Sequence, residues 1–258
     1  MRLKGFRRFS PTFLLLLALT LVCAGAAHAN SFQIGEFVTF DESAWTNTSA
    51  GITLLSSDFT SVYPSSVVTV GLPITGFTMR FDQPSPVLLY LPAIGSLGAL
   101  TSNVLDPFTT PAGTFAGDVL ALEFNVDFSN AGLLAHPAGT PFGNLTLQNF
   151  SSQPALNGLT VSQFLADANT CLGGGSCLYS YSIMDTIAAD LNASFDTGTT
   201  VSAFADTNLA LPGSVTPTPE PSSLLLVASS LAGLGFARRR MIDREIRGKS
   251  IHREGACV

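Results

Sequence analysis

The sequence predicts a mainly β protein: a β-sandwich-like central domain with a short helical pair, followed by one C-terminal transmembrane helix. Three observations predict it. Residues 30–214 hold fifteen of the nineteen Phe, together with abundant Val, Thr and Ser and regularly recurring Gly and Pro, which is strand-and-turn chemistry. Two segments opening near residues 160 and 182 carry helix-start signals. A run from Leu224 to Ala237 carries no charge and ends at Arg238-Arg239-Arg240, the layout of a short span with a positive inner flank.

The strand candidates come in chain order. Residues 34–40, 52–55, 67–71, 76–81 and 86–91 are short, rich in β-formers and punctuated by Gly, Pro, Asp and Ser. Residues 118–128 are the clearest of all. Leu120, Leu122, Phe124, Val126 and Phe128 alternate with Val119, Ala121, Glu123, Asn125 and Asp127, so a strand would turn the first set inward. Glu123 and Asp127, and Asp118 as the first residue of the strand, are then expected to face solvent. Residues 143–149 and 199–205 complete the strands.

Two helices interrupt this pattern. Thr160-Val161-Ser162-Gln163 is a capping-box opening, with Val161, Phe164, Leu165 and Ala168 at helical spacing behind it. Ser182 with Asp185 opens the second, and Ile183, Ile187 and Leu191 share one face. Between them Cys171 and Cys177 bracket Leu-Gly-Gly-Gly-Ser. A close pair joined by glycines in an oxidising compartment predicts a disulfide that clips the hairpin loop.

That compartment follows from the N-terminus. Arg2, Lys4, Arg7 and Arg8 precede an apolar run from Phe13 to Val22, and Ala27-His28-Ala29 follows as a small-x-small cleavage site. Residues 1–29 therefore read as a signal peptide cut between Ala29 and Asn30, with the Sec machinery and signal peptidase as partners. Residues 30–214 form the exported domain. Residues 215–222 are a Pro-rich linker that suits neither helix nor central strand. Residues 223–237 are the span and residues 238–258 a basic, polar cytoplasmic tail.

Removing the ends changes the electrostatics. Between Asn30 and Ala237 there are fifteen acids and a single base, Arg80, for a net charge of −14, and no lysine. Nucleic-acid binding rests on phosphate neutralisation by Lys and Arg, so that class is excluded. Such a surface favours solubility.

The C-terminal features also carry a resemblance. Pro219-Glu220-Pro221, Ser222-Ser223, the Leu-rich segment and Arg238, Arg239 and Arg240 together resemble the PEP-CTERM sorting signal. The resemblance implies an exosortase-type membrane protease as partner and transient inner-membrane anchoring. It also implies delivery to the cell surface or extracellular matrix, in the company of exopolysaccharide. Tails of that family stop soon after the arginines, whereas this chain continues from Met241 to Val258. Residues 117–128, Leu156-Asn157-Gly158-Leu159-Thr160-Val161, Ala168-Asn169 and Leu172-Gly173-Gly174 resemble a module of secreted bacterial proteins, which implies an extracellular domain and nothing sharper.

Catalytic patterns are sparse. A Ser-His-Asp triad would need His136, the only His between Asn30 and Ala237, and no Gly-x-Ser-x-Gly accompanies it. A zinc site wants four Cys or His ligands. Calcium could draw on Asp196-Thr197-Gly198 and Asp206-Thr207-Asn208, although neither has calcium-loop spacing. A glycosidase needs two carboxylates across a cleft, and nothing in the sequence places such a pair. The leading expectation is a structural or adhesive protein of the cell surface or matrix, without catalysis. A carbohydrate-binding module using Trp45, or an ice-binding module, is the alternative. A secreted glycan-acting hydrolase is the second.

Overall fold

The computed structural model describes residues 32–213. The fold is helical, not a β-sandwich. Among the described residues the strands form only one three-stranded and one two-stranded sheet, all of them short. Seven α-helices carry the rest: α1 Glu42–Asn47, α2 Ser49–Val62, α3 Pro84–Tyr90, α4 Gly113–Asn130, α5 Val161–Leu172, α6 Tyr181–Asn192 and α7 Ala203–Asn208.

The main correction falls on residues 118–128, which lie inside α4, the longest helix at 18 residues. Its core-facing positions include Phe115, Val119, Leu120, Leu122, Phe124, Val126 and Phe128, which leave no apolar stripe and no fully solvated side. A helix apolar all round belongs in the centre of a protein. Here α5 and α6 pack along it, with α1 and the first sheet against other parts. Short windows of such a sequence alternate by accident, because every turn of the helix is apolar. Periodicity cannot separate a buried strand from a buried helix; the 18-residue length can.

The first sheet contains two of the expected strands. β1 (Val68–Gly71) pairs antiparallel with β2 (Thr78–Phe81), Val68 opposite Phe81 and Gly71 opposite Thr78. β3 (Val104–Leu105) adds in parallel to β2. β4 (Thr146–Leu147), inside the expected 143–149 strand, pairs antiparallel with β5 (Leu209–Ala210). The other strand expectations fail. Residues 52–55 lie in α2, 86–91 overlap α3, and 199–205 run into α7. Residues 34–40 keep only an isolated bridge from Thr39 to Asp196. Local capping decides several of these. Thr48 caps α2 by accepting from the Gly51 amide, Pro84 opens α3, and Ser202 caps α7 by accepting from Ala205.

The helical hairpin stands as expected. Thr160 Oγ1 accepts from the Gln163 amide at 3.1 Å while Gln163 Oε1 accepts from the Thr160 amide at 2.8 Å. That reciprocal box satisfies two amides that a helix start otherwise leaves open. α6 opens one position pair earlier than Ser182, with Ser180 at its N-cap. No helix among the described residues is long and apolar enough to cross a membrane. The span expected over 223–237 lies outside the described residues.

Aromatic side chains fill the core. Trp45 is wholly buried against Phe40, Phe124 and Phe128, with ring centroids 4.9–5.4 Å apart. Phe37, Phe142 and Phe195 form a second group with Phe32. Asn125 ties the Phe40 segment to α4. Its Oδ1 accepts from the Phe40 amide at 2.8 Å and its Nδ2 donates to the Phe40 carbonyl at 2.7 Å.

Candidate functional site

The chemistry of the domain concentrates on α4, where three acids expected at the surface point inward. Asp118, Glu123 and Asp127 are packed among neighbouring elements, and each carboxyl is pushed above its ordinary range, chiefly by burial. Burial favours the neutral form of an acid. Arg80, exposed on β2, is the only base among the described residues, so no cation is at hand to reverse the effect.

Two groupings result. In the first, Glu42 from α1 and Asp185 from α6 meet Asp118. The Asp118 and Asp185 carboxyls lie within hydrogen-bonding reach of each other, as do those of Glu42 and Asp118; desolvation raises all three, and the neighbouring charges add to the rise of Glu42 and Asp118. Gly117 makes room for this. A Cβ there would collide with the Glu42 carboxyl. Glu42 Oε2 also accepts from the Ala93 amide, and Asn192 Nδ2 donates to the Asp118 carbonyl at 2.9 Å.

In the second grouping, Glu123 Oε2 accepts from Asn169 Nδ2 at 3.0 Å, while Asn169 Oδ1 accepts from the Gly71 amide at 2.7 Å. Burial and the charge of Asp127 push Glu123 up to about 7. The Tyr63 hydroxyl faces Asp127 from the end of α2 and is raised by the same desolvation. This grouping ties α4 to α5 through the Glu123 carboxyl, and α5 to β1 through the Asn169 carboxamide.

Neither grouping lines the groove that the domain opens to solvent. The open groove on the domain, of about 600 Å³, is lined by Val38, Phe40, Leu54, Leu134 and other uncharged residues, with hydroxyls from Ser49, Thr53 and Thr197. No carboxylate or His lines it. Among the described residues no three Asp, Glu, His or Cys side chains offer a common point for a metal ion. Asp196 and Thr197 instead build a turn, with Thr197 Oγ1 donating to the Asp196 carbonyl at 2.8 Å. His136 sits in the 131–140 loop with Nδ1 at 2.8 Å from the Pro137 carbonyl oxygen. Trp45 is buried and therefore cannot stack on a sugar.

Cys171 and Cys177 are joined, with Cα atoms 4.4 Å apart. The loop they close docks on the β1–β2 turn, where the Phe77 amide donates to the Gly173 carbonyl at 2.9 Å. A Cβ on Gly173 would strike Leu72 and the Phe77 carbonyl, so only glycine fits at that crossing.

The sequence signalled Cys171 and Cys177 directly. It did not signal Glu42 or Asp185 as partners of Asp118. One sign was present all the same: acids embedded in apolar segments of a domain with one base must either reach water or hold their protons.

The sorting residues Pro219, Glu220, Pro221, Arg238, Arg239 and Arg240 and the cleavage residues Ala27, Ala29 and Asn30 lie outside the described residues. For the C-terminal group the sequence itself decides. Residues 217–240 match the family model of the PEP-CTERM protein-sorting motif. The chain carries a PEP-CTERM sorting signal. The PEP-CTERM motif makes this an exported protein, sorted at the membrane through its C-terminus. PEP-CTERM proteins are exosortase substrates. No curated protein and no solved structure matches the chain.

Proposed function

We propose that this PEP-CTERM protein is a non-catalytic component of the cell surface or extracellular matrix, delivered by exosortase-type processing of its tail. The motif at residues 217–240 carries the reading. It follows a disulfide-clipped domain suited to an oxidising exterior. Two further features support a structural or adhesive role. The open groove is lined without a titratable side chain, and the buried carboxylates are spent on holding helices together. Trp45, the residue on which sugar binding would have rested, belongs to the core, so the structural role is favoured over the carbohydrate-binding one.

The test is deletion of Pro219-Glu220-Pro221 in a host that carries an exosortase. The wild-type protein is expected to leave the membrane with a mass lacking both terminal segments. The deletion variant is expected to stay in the membrane fraction at its unprocessed C-terminal length. Equal mature mass and equal location for the two proteins would refute the role of the tail. Turnover of glycan or ester substrates by the purified protein would refute the non-catalytic reading.

A further inference from the structure

Three helices meet at carboxyl groups rather than at an ion pair. Asp118 projects from α4, Glu42 from the first turn of α1 and Asp185 from α6. Asp185 Oδ1 is buried with no donor within reach, although its carboxyl lies against that of Asp118. Two carboxylates in such contact repel, and an acceptor left dry is costly. One proton between them removes both penalties, because a protonated carboxyl donates to its neighbour.

The remaining groups around the cluster do not supply an alternative. α1 and its cap add Asp41, another acid acting on Glu42. Tyr90, at the end of α3, is a neutral phenol near Glu42. α4 contributes the Thr114 hydroxyl to Asp185, and α6 contributes the Asn192 amide near Asp118. Every group named is neutral or acidic. Metal capture is disfavoured too, since the carboxyls present no common coordination point.

We propose that a proton shared between Asp118 and Asp185, with Glu42 closing the cluster, is a latch that holds α6 and α1 onto α4, and that alkaline medium opens this seam. The exported domain thereby senses external pH. With the proton in place, the Asp118 and Asp185 carboxyls bridge α4 to α6, and Glu42 bridges α1 to α4 and to the Ala93 amide. Loss of the proton leaves up to three carboxylates in mutual contact beside Gly117. The sign follows from linkage: groups that hold protons more tightly when folded stabilise the fold at acid pH, and that stability is lost as pH rises.

Thermal melting of the full exported chain between pH 5 and pH 9 tests it. The wild-type melting temperature is expected to fall by about 5 °C or more across this range. The variant Asp118→Asn/Asp185→Asn keeps a hydrogen bond that does not titrate, and its profile is expected to be flatter. The control Asp58→Asn/Asp206→Asn removes the same charge away from the cluster and is expected to keep the wild-type slope. A flat or rising wild-type profile overturns the latch. So does a double variant whose slope equals that of the control. Should Asp118→Asn/Asp185→Asn not fold, amide hydrogen exchange on the wild type decides. Protection in α1 and α6 is expected to drop with pH ahead of protection in the β4–β5 pair, after correction for intrinsic rates, and a uniform change across these elements overturns the proposal.

Discussion

Asn125→Leu is the sharpest single perturbation of this fold. Leu keeps the branched skeleton of Asn without its polar atoms, so the main effect is on hydrogen bonding. Asn125 satisfies the Phe40 amide and the Phe40 carbonyl, at 2.8 and 2.7 Å, and donates to Asn192 Oδ1 at 3.0 Å. All three residues are buried, so water cannot replace the lost partners. Leaving a buried polar group unsatisfied costs about 1–3 kcal/mol. Two backbone groups and one side-chain oxygen lose a partner, and the added apolar burial offsets part of that. The net expectation is a loss of about 3–5 kcal/mol, a large share of the roughly 5–15 kcal/mol that holds a domain together. Urea denaturation of the purified protein measures it. Trp45, the sole tryptophan, packs on Phe40 with centroids 4.9 Å apart, so its emission reports on the same seam. The midpoint is expected to move down with the slope unchanged. A loss below about 1 kcal/mol would show that Phe40 finds other partners, and would refute the bridging role of Asn125.

Two further predictions follow from the packing around α4 and α5. Gly173→Ala forces a methyl into Leu72 and the Phe77 carbonyl, which are backbone and first side-chain atoms unable to swing aside. A destabilisation of about 1–3 kcal/mol or more is expected by urea midpoint, whereas Gly132→Ala, with no heavy atom near the added methyl, separates the clash from backbone strain. Glu123→Gln keeps a hydrogen-bonding group toward Asn169 but cannot ionise. The Glu123 carboxyl rises from 4.5 to about 7 on folding, so its contribution is complete below pH 4.5 and lost as pH passes 7, roughly 3 kcal/mol in all. The variant is therefore expected to match wild type at pH 5 and to exceed it in melting temperature at pH 8; an equal deficit at both values would refute the linkage.

The sequence by itself determined the features that depend on few residues close together. The capping box at Thr160 and Gln163, the Cys171–Cys177 clip and the β1–β2 strands were legible because neighbours in the chain make them. The sorting motif is legible for a related reason, being a linear signal at residues 217–240. Composition was a poor guide to fold class. Phe, Val and Thr favour strands only on average, and here Phe115, Phe124, Phe128 and Phe164 fill the interior of a helical bundle.

Only the tertiary structure decided the fate of Asp118, Glu123 and Asp127. On a strand of period two Glu123 and Asp127 share one face and Asp118 takes the other, whereas on α4 Asp118 meets Glu42 and Asp185 while Glu123 and Asp127 meet Asn169 and Tyr63. Their partners, Glu42, Asp185, Tyr63 and Asn169, lie between 46 and 76 residues away in the chain. No local pattern encodes such meetings. Whether a carboxyl sheds or keeps its proton depends on what surrounds it in space, and the chain acquires those surroundings only by folding.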